Sequence, residues 1–173
     1  MRTVRLERHA DSRGDAVRSL SARVGRVPGG GLAVSYAIEG DIRRLHVPAP
    51  RPPRFAERLW QHTCCEIFVA AKGRPAYHEF NFSPSGEWAA YAFTGYRQGA
   101  PLADPALNPR IEVRAGAGRL ELDALIPCGA GSLTLGLSAV VEEEDGSLSY
   151  WALGHPPGKP DFHHSAAFAL ELD

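Results

Sequence analysis

The stretch 64-CCEIFVAAKGRPAYHEFNFSPSGEWAAYAFT-94 decides the fold of this chain. It contains three runs rich in apolar residues, Cys64–Ala71, Ala76–Ser83 and Glu87–Thr94, separated by two groups of turn residues. Alternation of apolar and polar residues is typical of half-buried strands, and Gly, Pro and Ser at the separators favour tight turns. The stretch therefore predicts a three-stranded antiparallel meander.

The turns of this meander also predict which side chains share a face. A first turn centred on Gly73-Arg74 sets Glu66 opposite Asn81, and a second centred on Pro84-Ser85 sets Asn81 opposite Trp88. Because side chains alternate along a strand, one face is expected to be core. The predicted core face comprises Ile67, Val69, Phe80, Phe82, Ala89, Tyr91 and Phe93. The opposite face comprises Glu66, Phe68, Tyr77, Glu79, Asn81, Trp88, Ala90 and Ala92.

That second face combines carboxylates, a carboxamide and aromatic rings with small side chains, which suits a polar small molecule. Two alternatives stay open. The face could be a plain solvated exterior decorated with cross-strand pairs. A register slip by one residue would instead exchange the faces, although it would bury Glu66 and Glu79 in the core without evident partners.

Short alternating runs continue on both sides of the meander. The further predicted strands are Thr3–Arg8, Val17–Gly25, Leu32–Glu39, Ile42–Val47, Ile111–Ala115, Arg119–Leu125, Leu133–Val141, Leu148–Leu153 and Ala166–Leu172. So many closely spaced strands predict an all-β fold, a two-sheet antiparallel β-sandwich, jelly-roll-like, of roughly ten to twelve strands. Residues 1–173 are expected to form one domain. Three longer loops, Pro48–Thr63, Gln98–Arg110 and Gly154–Ser165, are candidates for function.

Composition argues against several classes of partner. Lys and Arg number 19 against 20 Asp and Glu, so no basic field would attract nucleic acid or an anionic membrane. The segment Met1–Asp15 is charged and lacks the apolar core of a signal peptide, and no later run could span a bilayer. We therefore expect a cytoplasmic protein. The three cysteines form neither an even disulfide set nor a paired CxxC pattern, which predicts free thiols.

Several motifs resemble a known family. Leu59-Trp60, then EIFV (66–69), then YHEFNFSPSG (77–86) follow one another in an order that resembles the DOMON superfamily, especially its family 9 carbohydrate-binding-module-like branch. The tail, YWAL (150–153) and HPPGKPDFH (155–163), resembles bacterial members of that branch. The resemblance covers most of the chain. It implies a β-sandwich whose ligand, a sugar or a haem, lies in a pocket against one sheet.

The resemblance also implies site residues. In sugar-binding relatives two tryptophans sandwich the ligand, and a glutamate six residues after the first accepts hydrogen bonds from sugar hydroxyls; Trp60 and Glu66 match that spacing. Trp151 is expected to be the second wall, with Trp88 as its competitor. The predicted ligand-binding set is Trp60, Glu66, Glu79, Asn81, Trp88, Trp151, Lys159 and Asp161. The leading hypothesis is a non-enzymatic domain without catalytic residues that binds a carbohydrate or carbohydrate-like metabolite.

Haem is the first alternative ligand. Haem-binding relatives use Met with His or Lys as axial ligands, and the only Met here is Met1. A bis-His or His/Lys site would have to draw on other residues. The candidates are His62, His78, His155, Lys159, His163 and His164.

A metal-dependent hydrolase is the second alternative. His155, Asp161 and His163 in the late loop are the densest set of potential metal ligands, but they lack HExxH or paired CxxC spacing. Hydrogen bonding of the loop histidines to the backbone and to Asp161 is the favoured interpretation, so no resident metal is expected. In the hydrolase hypothesis Glu66 and Glu79 would act as general acid and base.

Overall fold

Strands carry almost all of the regular structure in the computed structural model, which describes residues 1–173. They are β1 Arg2–Arg5, β2 Glu7–Arg8, β3 Val17–Arg26, β4 Leu32–Gly40, β5 Cys64–Ala71, β6 Tyr77–Phe82, β7 Trp88–Gly95, β8 Gln98–Pro101, β9 Arg110–Ala115, β10 Arg119–Ile126, β11 Leu133–Glu142, β12 Leu148–Ala152 and β13 Leu170–Leu172. The helical elements are short 3₁₀ turns, Ile42–Arg44, Leu59–Gln61, Pro105–Leu107 and Ser165–Ala167. None of them is long and apolar enough to cross a membrane.

The strands form two antiparallel sheets, which confirms the predicted sandwich. The five-stranded sheet has the order β1-β3-β4-β10-β9, and the eight-stranded sheet has the order β2-β12-β11-β5-β6-β7-β8, with β13 also paired to β11. The predicted meander is therefore the β5-β6-β7 part of the larger sheet. Because the smaller sheet covers only one face of the larger one, the outer face of the eight-stranded sheet is available to other parts of the chain.

The core lies between the two sheets and is built by alternation. In β4 the inward residues Leu32, Val34, Tyr36 and Ile38 are all buried, and the residues between them are partly exposed. The Tyr36 hydroxyl donates a 2.5 Å hydrogen bond to the backbone oxygen of Glu66 in the opposite sheet. This bond satisfies a buried hydroxyl and ties β4 to β5. All three cysteines are free, as predicted.

The two turns of the meander give different outcomes for the predicted register. Glu66 lies opposite Asn81 across the first hairpin, as predicted. In the second hairpin Asn81 lies opposite Ala89 and not opposite Trp88, so that prediction was wrong. The turn holds three residues, 84–86, between the hydrogen-bonded Ser83 and Glu87. Gly86, with φ +91°, occupies the left-handed position that closes a three-residue hairpin loop.

This one extra loop residue inverts every side chain of β7 relative to the prediction. Trp88 and Ala90 point into the core, where Trp88 packs edge-on against Phe55 at a centroid distance of 5.5 Å. Tyr91 and Phe93 instead join Glu79 and Tyr77 on the outer face. On β7 the outer face therefore carries two aromatic side chains, Tyr91 and Phe93, in place of the predicted Trp88, Ala90 and Ala92.

Several other predictions differ from the structure: the predicted strand Thr3–Arg8 is divided between β1 and β2 in different sheets, and Ala166–Leu172 is a strand only over Leu170–Leu172. The run Ile42–Val47 is not a strand: a 3₁₀ turn brings Ile42 and Leu45 to the same buried side, and only Leu45 makes a bridge, to Glu143. The predicted loop Gln98–Arg110 contains strand β8, which pairs with β7 at the edge of the sheet. All four residues of β8, Gln-Gly-Ala-Pro, are exposed. The strand therefore has no buried side, and its sequence does not show the alternation of apolar and polar residues that indicates a half-buried strand.

Candidate ligand-binding site

A cavity of about 580 Å³ opens on the outer face of the eight-stranded sheet. Strands β5, β6, β7, β11 and β12 contribute its floor and one side. Trp60 and Gln61 of the first predicted loop lie at its edge, and Pro160, Phe162 and His163 of the third predicted loop lie across from the sheet. The volume falls within the range of small-molecule pockets.

Aromatic rings form most of the apolar lining. Tyr91 and Phe93 come from β7, Tyr150 from β12 and Phe162 from the late loop, with 6.4 Å between the ring centroids of Tyr150 and Phe162. Trp60 sits in the 3₁₀ turn Leu59–Gln61, and half of its surface is exposed. An indole left half exposed beside a cavity offers a flat apolar platform that the fold itself does not use.

Two carboxyl groups form the polar part of the floor. Glu66 on β5 and Glu79 on β6 both line the cavity and are almost fully buried. Since Glu66 pairs with Asn81 and Glu79 pairs with Phe68, the two glutamates are diagonal neighbours on one face. The sequence correctly placed them on a shared face.

Burial changes the protonation of both carboxyls. Burial raises the pKa of Glu66 well above its ordinary value, and the neighbouring Glu79 raises it further. Burial raises the pKa of Glu79 to about 7, although Asn81 and Arg97 partly oppose that shift. The pair therefore retains a proton near neutral pH. A carboxyl pair in this state offers both a hydrogen-bond donor and acceptors to a ligand.

His163 links the late loop to the carboxyl floor. Its Nδ1 lies 2.9 Å from the Tyr77 hydroxyl, and that hydroxyl accepts a hydrogen bond from the Arg97 backbone N–H. Burial lowers the pKa of His163 to about 4, so its ring is neutral at pH 7. On the other side of the ring, Nε2 lies 3.5 Å from a carboxyl oxygen of Glu79.

Asp161 anchors the late loop to the β7-β8 hairpin. One of its oxygens accepts hydrogen bonds from the Arg97 guanidinium at 2.8 Å and from the His163 backbone N–H at 3.1 Å, and the other accepts from the Tyr96 hydroxyl. Burial raises the pKa of Asp161, but the bonds from Tyr96 and Arg97 outweigh it and hold the pKa below its usual value. The charged carboxylate thereby fixes the position of Phe162 and His163 over the floor.

A row of polar groups crosses three strands beneath this floor. Glu66 lies between Ser138 of β11 and Asn81 of β6, its cross-strand neighbours. Asn81 and Ser138 are almost fully buried, and Asn81 lowers the pKa of Glu79 as Ser138 lowers that of Glu66. Each carboxyl of the floor therefore has a neutral polar neighbour inside the sheet.

The predicted site residues fall into three groups. Trp60, Glu66 and Glu79 line the cavity, and Asn81 lies on the same face directly below it. Lys159 and Asp161 belong to the late loop but line a shallow depression outside the cavity, together with Arg97. Trp88 and Trp151 are buried in the core.

The core position of Trp151 corrects the expectation that it forms the second wall. Tyr150 pairs with Val140, which faces the cavity, so alternation turns Trp151 toward the core. There its indole N–H donates a 2.9 Å hydrogen bond to the Ser149 hydroxyl. The aromatic partner that the chain brings to the cavity from this strand is Tyr150. Trp88 is excluded as a competitor by the register of β7.

The structure does not bring the predicted metal ligands of the late loop together. His155 lies against His9 at a centroid distance of 4.9 Å, and its Nε2 is 2.8 Å from the backbone oxygen of Glu7. Asp161 and His163 are occupied by the contacts described above. The hydrolase hypothesis thus has no metal centre at His155, Asp161 and His163, although Glu66 and Glu79 do face one cavity.

Several residues that line the cavity were not predicted, although the sequence contains features that indicate some of them. Tyr91 and Phe93 would have been found had the second turn been counted as three residues closed by Gly86. Tyr150 is adjacent to Trp151, which was predicted to form the second wall of the site. Phe162 lies inside the tail motif, residues 155–163, on which the family resemblance partly rests. Val140 and Leu148 gave no signal, because only the pairing of β11 with β12 brings them to the cavity.

Solved structures with the same fold include carbohydrate-binding modules. A candidate carbohydrate-binding protein from Bacteroides uniformis superposes with a TM-score of 0.69 at 16% identity, over 99% of this chain and 85% of that one. Family 9 carbohydrate-binding modules from Caldicellulosiruptor kristjanssonii superpose with TM-scores of 0.55, in complex with cellotriose, and 0.54, in complex with glucose. Their identities are 11% and 10%, over 93% and 96% of this chain and 76% and 83% of theirs.

These likenesses show a shared fold. They agree with the carbohydrate-binding-module-like sandwich that the sequence predicted, whereas membership of the DOMON superfamily stays a prediction. No protein-family model and no curated protein sequence matches the chain.

Proposed function

We propose that the chain binds a saccharide or a saccharide-like metabolite in the outer-face cavity, without catalysing a reaction on it. The observation that carries this proposal is the half-exposed Trp60 indole beside a floor formed by Glu66 and Glu79. A sugar ring has apolar C–H faces and a rim of hydroxyls, so it needs aromatic platforms and hydrogen-bonding groups together.

The polar groups of the cavity match hydroxyl ligands. A carboxyl pair that shares a proton near pH 7 can accept from one hydroxyl and donate to another. The neutral His163 and the amide of Gln61 add further polar atoms at the edge. No group in this set requires a charged ligand, which favours a neutral, hydroxyl-rich molecule.

The shape of the site favours a small soluble saccharide over an extended polymer face. Pro160, Phe162 and His163 of the late loop, which Asp161 ties to Arg97, line the cavity together with the strands, so the ligand would contact both loop and sheet. The structural neighbours support the ligand class, since two of them are described in complex with glucose and with cellotriose.

The test is a thermal-shift screen of mono-, di- and trisaccharides and nucleotide sugars, followed by isothermal titration calorimetry of the hits. A ligand that binds only the native state raises the melting temperature. Trp60→Ala should weaken binding at least tenfold. Leu125→Ala, which removes another exposed apolar side chain on the opposite sheet, is the matched control and should bind like the wild type.

Two results would overturn the proposal. One is a screen in which no saccharide raises the melting temperature of the folded chain. The other is a saccharide hit whose affinity is the same in Trp60→Ala and Leu125→Ala, because that ligand would not occupy this cavity. Chromatography of each hit after incubation with the protein tests the non-catalytic part, since a new product would contradict it.

A further inference from the structure

Two histidines and a glutamate meet at the end of strand β11 in the eight-stranded sheet, outside the cavity. The imidazole nitrogens of His46 and His62 and a carboxylate oxygen of Glu142 all lie within 4.8 Å of one another. The three residues come from three separate segments of the chain. We propose that they form a binding site for a divalent transition-metal ion, with Zn²⁺ as the best-matched metal.

The backbone of this site is fixed by a buried hydroxyl. Thr63, which is 1% exposed, donates from Oγ1 to the His46 backbone oxygen at 2.8 Å and accepts from the Glu142 backbone N–H at 3.0 Å. The His46 N–H also donates to the Glu142 backbone oxygen at 2.8 Å, next to the bridge between Leu45 and Glu143. All three ligand-bearing positions are therefore held in place before any ion arrives.

The spacing of the side chains fits a tetrahedral ion. Zn–N and Zn–O bonds of about 2.0–2.2 Å place neighbouring donor atoms about 3.3 Å apart. His62 Nδ1 and Glu142 Oε2 are 2.7 Å apart, and the His46 and His62 ring centroids are 5.8 Å apart. Both histidines are exposed, so their side chains are free to rotate toward an ion.

The ligand types narrow the choice of metal. Imidazole nitrogen suits Zn²⁺, Cu²⁺ and Ni²⁺, whereas Ca²⁺ and Mg²⁺ prefer oxygen ligands only. Two imidazoles and one carboxylate also leave one tetrahedral position for water or a ligand group, as in zinc sites that are not closed by a fourth protein ligand.

Two of the three proposed metal ligands lie close in sequence to residues that line the cavity. His62 directly follows Trp60 and Gln61, and Glu142 lies two residues beyond Val140 on the same strand face. An ion held by His62 and Glu142 would therefore fasten the 3₁₀ turn that carries Trp60 to strand β11. Zinc occupancy is expected to stabilise the edge of the cavity.

The test is calorimetric titration of Zn²⁺ into the tag-free, metal-depleted chain of residues 1–173. We expect one Zn²⁺ per chain and a higher melting temperature in its presence. His46→Ala and His62→Ala should each weaken binding at least tenfold, whereas His78→Ala, an exposed histidine on β6 outside the cluster, should bind like the wild type. Co²⁺ in place of Zn²⁺ should give the strong visible absorption of a four-coordinate site.

The proposal is overturned if the wild type binds no stoichiometric Zn²⁺, or if all three variants bind it equally. Circular dichroism of each variant in metal-free buffer controls for folding, which exposed positions should leave intact. His62→Gln provides a second variant that keeps a polar side chain. Because the titration needs no saccharide, its outcome is independent of the proposed function.

Discussion

A carboxyl oxygen of Glu79 lies 3.5 Å from Nε2 of His163, and both groups are mainly uncharged between about pH 4 and pH 7. Burial holds the pKa of Glu79 at about 7 and that of His163 at about 4. Burial thus disfavours the ion pair that these two groups would form in water.

This arrangement predicts opposing effects of pH on stability. Above about pH 4.5 unfolded Glu79 loses a proton that the folded chain keeps until about pH 7, so stability falls as pH rises. Below about pH 6.5 His163 becomes protonated in the unfolded chain, whereas in the folded chain it stays neutral until about pH 4. Stability therefore falls as pH drops through this range. The raised pKa of Glu66 adds a further loss of stability as pH rises, in the same direction as that of Glu79.

Glu79→Gln removes one of the two carboxyl contributions that lower stability as pH rises. Between pH 4.5 and 6.5 we expect its free energy of unfolding to gain roughly 2–3 kcal/mol relative to that of the wild type. Urea titrations at half-unit pH intervals measure this slope. Glu171→Gln, at an exposed position, should follow the wild type. A Glu79→Gln profile parallel to the wild type would show that Glu79 is not protonated in the folded chain.

The core position of Trp151 predicts a large loss of stability on truncation. Trp151→Ala removes a buried ring and the partner of the Ser149 hydroxyl, and should cost about 3–5 kcal/mol. Trp60→Ala removes a half-exposed ring and should cost less than about 1 kcal/mol. Chemical denaturation of both variants measures the contrast. Equal costs would contradict the placement of the two rings.

The Asp161 anchor predicts a loop that loosens without unfolding of the sheet. Asp161→Asn weakens the bond to Arg97 and should reduce saccharide affinity about three- to tenfold. The pair is partly exposed, so global stability should fall by no more than about 1 kcal/mol. Hydrogen exchange of residues 160–164, measured beside the affinity, reports the loosening. Unchanged exchange in this segment would show that Asp161 is not its anchor.

The polar row through Glu66 predicts a conflict between stability and binding. Glu66→Gln keeps the shape of the side chain but removes a buried acid, so the variant should be about 1–3 kcal/mol more stable than the wild type at pH 8. It should also bind saccharide about tenfold more weakly, because an acceptor is lost. Denaturation and calorimetry at pH 8 test both parts. Unchanged affinity would mean that Glu66 does not touch the ligand.

The sequence predicted the fold and half of the cavity because both depend on alternation. The inward residues of β4 and the shared face of Glu66 and Glu79 follow from a period of two and one correctly centred turn. Alternation cannot decide which of two adjacent aromatic residues faces the ligand, as with Tyr150 and Trp151. That choice depends on the pairing of β12 with β11, which is set by contacts far apart in the chain.

Loop residues were predictable only as segments. Trp60 was predicted from the family resemblance, because Trp60 and Glu66 match the spacing in sugar-binding relatives. The anchor formed by Arg97 and Asp161 joins positions 64 residues apart and has no local pattern. The cluster of His46, His62 and Glu142 was missed for the same reason, since its members share no spacing motif.

The turn at residues 84–86 gives the site an unusual sensitivity to insertions and deletions. Most substitutions there would change only local stability, whereas loss of a single residue would exchange the two faces of β7 and send Tyr91 and Phe93 into the core. Among related chains, loop length at this point should therefore vary less than loop sequence. A homologue with a two-residue turn would need a different set of aromatic residues on β7 to keep a ligand cavity.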